Sequence, residues 1–201
     1  WSERVILRLA EGYWPSALSW LKRIRLAWLL RSYRKKTDQW QILAQKYDDL
    51  DRYELEKYVR LEADLSDYPS ANRLMPSRLG NKLRAAEDYP FERYGLETVT
   101  VWPRLWLVLP ESTRLELARA RKSLDERTQF MIWGILLMVW AIFSLWVIPI
   151  ALLVVWISYQ GMLEAAAIYS ELFRSTFDDH RFLLYKALHF PLPPQPSTEK
   201  E

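Results

Sequence analysis

Residues 129–163 read QFMIWGILLMVWAIFSLWVIPIALLVVWISYQGML, thirty-five consecutive positions without Asp, Glu, Lys or Arg, in a 201-residue chain that is 26% charged. As one α-helix rising about 1.5 Å per residue the run would extend roughly 52 Å, against a bilayer hydrocarbon core of about 30 Å. Hiding all of it in one straight helix requires a tilt of about 55°, outside the usual range of roughly 0 to 40°. Two short spans fit better. A hairpin centred near Ser144, Leu145 and Trp146 sends residues 130–144 in and residues 147–163 back, with Pro149 in the first turn of the second leg, where proline is best tolerated.

Trp and Tyr concentrate where hydrocarbon meets headgroups. Trp133 lies twelve residues before Leu145 and Trp156 eleven after it, so a hairpin sets both at similar depth on the entry side, with Tyr159 close by and Trp146 at the far interface. One long helix with an extramembrane extension, and a buried hairpin in a soluble core, are the alternatives. Transporters and proton relays place ionisable groups at membrane depth, and this segment has none. It offers small residues instead, among them Gly134, Ala141, Gly161 and Ala165, for close helix contact within the hairpin or with a partner.

Both ends of a hairpin leave on one side. The entering flank carries Arg114, Arg119, Arg121, Lys122 and Arg127, and such an excess of cations marks the cytoplasmic face. The expected placement is therefore the cell inner (plasma) membrane, multi-pass, with the bulk of the chain cytoplasmic. The absence of cysteine removes disulfides and thiolate metal sites from consideration. No signal peptide is visible.

Residues 1–36 hold nine Lys/Arg against Glu3 and Glu11, a local charge of +7 in a chain whose total is +3. Between Tyr13 and Leu30 these cations interleave with Trp14, Trp20, Ile24, Trp28 and several leucines, a composition suited to a helix lying in the headgroup layer. Lys22, Arg23, Arg25, Arg31 and Arg34 are the candidate lipid or anion contacts. Nucleic acid would also use cations with stacking aromatics, but the apolar hairpin makes lipid the expected anion, and no nucleic-acid partner is expected.

Residues 37–67 are acidic. Trp40, Leu43, Tyr47, Leu50, Tyr58, Leu61 and Leu65 recur near a 3.6 period, which predicts one amphipathic helix that pairs with another helix. Asp48, Asp49 and Asp51 lack the glycine turn of a cation loop and read as a solvated face. Residues 68–128 form a cytoplasmic helical region. In it Ser77 caps a helix over 78–88, Thr98–Trp102 reads as a brief strand or extended connector closed by Pro103, and a helix over 111–127 leads into the first span. Arg78, Lys82 and Arg84, with Arg73, Arg93 and Arg104 near them, are a second candidate anion site. Salt bridges to Glu87, Asp88, Glu92 and Glu97 are the plainer alternative. Residues 164–190 continue as helices, with a second one starting after Asp178 and Asp179, and residues 191–201 read as a disordered, proline-rich tail.

Catalytic patterns are missing. There is no G-x-x-x-x-G-K-[ST], G-x-G-x-x-G, H-E-x-x-H or G-x-S-x-G, and five glycines leave little room for phosphate-cradling loops. His180 and His189 lack a convincing ligand set. No metal, cofactor or catalytic residue is expected.

The segments NRLMPSRLGNKLRAAEDYPFERYGLE (72–97), VWPRLWLVLP (101–110), the apolar hairpin and HRFLLYKALHFPLP (180–193) together resemble an uncharacterised family of bacterial integral membrane proteins. Its members share RLGN and YGL segments, paired hydrophobic spans and a closing RF, LY and PLP pattern. The resemblance covers residues 70–194 and implies a multi-pass topology, with room for further spans upstream of Trp1. It brings no activity or substrate. The fold expected is an all-α integral membrane protein, a two-span transmembrane hairpin with a helical, partly membrane-surface cytoplasmic portion. The role expected is a non-catalytic accessory or scaffold subunit of a larger bacterial membrane complex, with the bilayer and other membrane-protein subunits as partners. An oligomerising, membrane-perturbing effector is the alternative, and a membrane-bound enzyme acting through the Arg73–Arg104 region the third.

Overall fold

The structure, a computed structural model, describes residues 2–189, which are helical throughout apart from short turns and connections, with no strand among them. Seven α-helices follow in order: α1 Ser2–Glu11, α2 Ser19–Gln45, α3 Arg52–Ser66, α4 Arg78–Tyr94, α5 Thr98–Val108, α6 Glu111–Leu137 and α7 Val147–Ala187. The chain divides into two compact units, one being Ala10–Ala85 and the other the described parts of Trp1–Leu9 and Ala86–Glu201. Of the expected segments, 191–201 lies outside the described residues.

In the first unit the basic and acidic segments are not separate elements. A single helix, α2, carries residues 19–45, joining the cationic stretch to the start of the acidic one. The acidic segment is accordingly two helices rather than the one its periodicity suggested. Residues 47–49 form a short 3-10 turn, and α3 starts afresh after Asp51. Asp51 Oδ1 accepts from the Glu54 amide at 2.6 Å, while the Asp51 amide donates to Glu54 Oε2 at 3.5 Å, a reciprocal cap worth about 1 kcal/mol. α3 then packs on α2, with Trp40 stacked on Tyr58 at 5.8 Å and Lys36 Nζ bound to Asp64 at 2.7 Å.

The entry to α4 is held from three sides. Ser77 Oγ accepts from the Gly80 amide at 2.9 Å and donates to the Glu11 carbonyl at 2.5 Å. Asn81, buried, accepts from the Met75 amide at 2.6 Å and donates to the Met75 carbonyl at 2.9 Å. A Cβ at residue 80 would stand 1.9 Å from the Glu11 carbonyl oxygen, backbone that cannot swing aside. Gly80→Ala is therefore expected to push the end of α1 off α4 and to cost the first unit about 1–3 kcal/mol in denaturant unfolding.

The second unit is built on α6 and α7, an antiparallel pair. Leu117, Ala120, Leu124, Thr128, Met131 and Gly134 form the buried seam of α6, and α7 answers largely with small residues, Ala151, Ser158, Gly161, Ala165 and Ala166. Small side chains on one helix let the backbones approach and let larger ones interdigitate. Gly134 faces Val154 and Val155, and Gly161 faces Arg127. Those two pairs centre the turn on Ser144, as the sequence led us to expect. α6 ends at Leu137, and residues 138–142 continue as a 3-10 helix into the turn.

Three sequence expectations fail here. Thr98–Trp102 is the first half of helix α5, with Pro103 inside it on the exposed side. Its β-branched residues favour extended chain only weakly, and the helix places Val101, Trp102, Leu105, Val108 and the following Leu109 against the aromatic core around Phe173 and Phe177. α4 likewise runs past residue 88 to Tyr94 through Pro90, and Gly95 closes it in the left-handed region at φ 71. After the hairpin there is no second helix: α7 continues unbroken through Asp178 and Asp179 for 41 residues, about 61 Å.

Candidate membrane interface

Between Phe130 and Ile157 sixteen large apolar side chains lie exposed. They cover the outer faces of both legs and the tip, where Ile142 and Phe143 are each 83% exposed and Trp146 82%. Monomeric soluble proteins rarely show so continuous an apolar surface. α7 is long and apolar enough to cross a membrane, and only 22% of its most apolar 18 residues are buried. A soluble core helix would show the reverse. α6 does not reach that length, because charge extends to Arg127 and the α-helix ends at Leu137. Two spans were expected; among the described residues only one helix, α7, is long and apolar enough to cross a membrane.

Trp133 and Trp156, 69% and 59% exposed, stand at matching levels on the two legs, as the facing of Gly134 to Val154 and Val155 requires. Tyr159 is half-buried. Gly134, Gly161 and Ala165 are buried, Gly134 against Val154 and Val155 and Gly161 against Arg127, and Ala141 is half-buried at the tip.

The cationic candidates divide. On α2, Arg23, Arg25, Arg31 and Arg34 are exposed and Lys22 half-buried. Arg25 lies over the Trp28 ring at 5.3 Å and donates to the Pro76 carbonyl at 3.3 Å. Trp20, Ile24 and Trp28, four apart, form an exposed apolar stripe on the same helix. The second cluster is mostly committed to the fold. Lys82 pairs with Asp67 at 2.7 Å, and Arg84 reaches Tyr13 Oη at 3.3 Å and Met75 Sδ at 3.5 Å, while Arg78 is exposed.

Sequence reading missed the polar knot beyond the hairpin. Asp178 of α7 accepts from Tyr94 at 2.5 Å and from Tyr89 at 3.0 Å on each of its oxygens. Arg181 lies over the Tyr94 ring at 4.3 Å, and Arg93 and Arg174 lie over Tyr89 at 5.7 and 5.6 Å. His180 Nε2 is 3.3 Å from Thr113 Oγ1. The knot fastens the end of α4 to α7, and the partners are 84 and 89 residues apart, beyond any periodicity. Among the described residues no three of His, Asp and Glu converge as a metal site.

Burial pushes the Tyr94 phenol up from its ordinary value of 10.0, and the hydrogen bond to Asp178 and its charge add to the shift; Tyr89 moves the same way for the same reasons. A raised phenol pKa stabilises the fold fully below the unfolded value near pH 10, and that stability is lost as pH rises through the folded value. Tyr94→Phe is expected to cost about 1.5–3 kcal/mol at neutral pH and to flatten the loss of stability above about pH 10, read from thermal melts across that range.

No family model, curated protein or solved structure matches this chain.

Proposed function

We propose that the α6–α7 hairpin is a bilayer anchor and that the chain is a non-catalytic accessory or scaffold subunit of a larger membrane complex. The continuous exposed apolar surface from Phe130 to Ile157 carries this reading. In water that surface would cost about 25 cal/mol for each Å² left uncovered, and a bilayer covers it from all sides. The cations of the α6 flank, from Arg114 to Arg127, favour a plasma-membrane placement with the helical units on the cytoplasmic side. Arg23, Arg31 and Arg34, exposed on α2 together with Trp20, Ile24 and Trp28, suit contact with anionic headgroups. Burial of Gly161 and Ala165 within the hairpin takes the small-x-x-x-small pair away from self-association, which favours the scaffold over the oligomerising effector.

Full crossing by both legs, the multi-pass form, is a second reading favoured by the length of α7. It requires a bilayer thinned around α6, whose uncharged α-helical part is only residues 128–137. The accessory role is tested by gentle detergent extraction from the native membrane, native-gel separation and mass spectrometry of comigrating chains. Different proteins at fixed stoichiometry are expected. A homo-oligomer or a lone monomer would contradict the role.

A further inference from the structure

Arg127 is the last charged residue before the apolar run. Its side chain lies across Gly161 of the facing helix, where a Cβ would stand 3.0 Å from Cδ, 3.2 Å from Nε and 3.4 Å from Cζ. Gly161 is thus less a site of backbone approach than a seat for this guanidinium. The cations one to two turns nearer the body are paired within α6, Arg121 with Asp125 at 3.7 Å and Lys122 with Glu126 at 3.8 Å. Arg127 is exposed, and among the described residues no carboxylate lies within ion-pair distance of it.

On the bilayer-anchor reading, on which this rests, we infer that Arg127, seated over Gly161, binds the phosphate of a lipid headgroup at the neck of the hairpin. Depth supports the assignment. Trp133 lies six residues deeper than Arg127, and Trp156 five deeper than Gly161, distances of roughly 9 and 7.5 Å along the helices. Tryptophans settle where hydrocarbon meets headgroups, and the headgroup layer on each face is about 5–8 Å thick. With the Trp133/Trp156 pair at that boundary, the Arg127 backbone stands at the outer edge of the headgroup layer and its side chain, lying across Gly161, is within reach of the phosphates. The planar fork of arginine matches phosphate oxygens in a bidentate way that an ammonium does not. A side chain at position 161 would lift the guanidinium away from the neck.

The same ruler fixes the tip. Val147 is fourteen residues from Gly161, about 21 Å, so a hairpin held by its neck at the phosphates ends near the bilayer midplane, and any tilt makes it shallower. Backbone buried in hydrocarbon must be hydrogen-bonded internally. At the tip the amides of Phe143 and Ser144 donate to the Trp140 carbonyl at 3.0 and 3.2 Å, and those of Val147 and Ile148 to the Ser144 and Leu145 carbonyls at 3.2 and 3.1 Å.

The chain has no cysteine, so Ser144→Cys carries a single nitroxide at the tip of the full-length protein. Its depth is read in phospholipid vesicles from the balance of collisions with oxygen, which enriches in hydrocarbon, and with a water-soluble nickel chelate. The expected result is an oxygen-rich, nickel-poor tip about 20 Å from the phosphates. Arg127→Gln and Gly161→Leu should each shift that depth by up to one helical turn, about 5 Å, with Arg127→Lys shifting it less. Vesicles of digalactosyl diacylglycerol, which lack phosphate, should reproduce the Arg127→Gln depth with the unaltered residue, and added inorganic phosphate should not reverse it. A tip depth indifferent to both substitutions and to phosphate-free lipid overturns the assignment, and reversal by inorganic phosphate overturns it in favour of a free anion. A tip open to the nickel chelate in every variant and every lipid would instead overturn the bilayer-anchor reading itself.

Discussion

Val139→Asp combined with Leu153→Asp is expected to release the protein from membranes while leaving it folded. Both side chains are exposed, 60% and 55%, and lie on the outer faces of the two legs, so neither change disturbs the buried seam between α6 and α7. In water the two carboxylates are hydrated, and the helical cost is a few tenths of a kcal/mol each. Within a bilayer each Asp costs roughly 2.5–3.5 kcal/mol near the centre of a helix. The pair therefore opposes insertion by about 5–7 kcal/mol, a factor of order ten thousand in partitioning at about 1.4 kcal/mol per tenfold. Vesicle cosedimentation of the purified variant, with circular dichroism as the folding control, reads both halves. Retained binding would mean that the apolar face of the hairpin is covered by something other than lipid.

Phe177→Ala is the substitution expected to damage the helical body most. Phe177 is fully buried, stacks with Trp102 at 5.9 Å and meets Phe173 at 5.2 Å, and Leu105, Leu109 and Leu184 belong to the same core cluster. Truncation leaves a cavity between α5 and α7 that few neighbours can collapse into, and such changes cost about 3–5 kcal/mol. Against a typical stability of 5–15 kcal/mol that is a large share. Thermal unfolding in detergent should drop steeply for Phe177→Ala and far less for Phe177→Leu, which keeps most of the volume. The hairpin lies outside this cluster, so vesicle binding should survive. A loss below about 1 kcal/mol would show that α5 is not held by this aromatic core.

The features legible in the sequence are those set by local or periodic physics. The turn near Ser144 was expected from the length of the uncharged run, and the chain does turn there between α6 and α7, although only α7 is long and apolar enough to cross a membrane. The helix cap at Ser77 and the start of α6 at Glu111 were legible from local chemistry. The break at Tyr47–Asp49 was hidden by a hydrophobic period that runs on across it, although Asp51 and Glu54 together spell a capping box. Thr98–Trp102 misled because β-branched residues yield to packing, here against Phe173 and Phe177. That Gly161 faces Arg127 depends on register, which no single-helix pattern contains. The Tyr89–Tyr94–Asp178 knot was out of reach for the same reason.

The most direct test of the bilayer anchor is flotation of the intact, unaltered chain with phospholipid vesicles on a density gradient after washing in about 1 M salt, where electrostatic attachment is screened within about 3 Å. An anchored hairpin keeps the protein with the floating lipid through that wash. Recovery of the protein in the dense, lipid-free fraction would contradict insertion and leave only a surface contact through the cations.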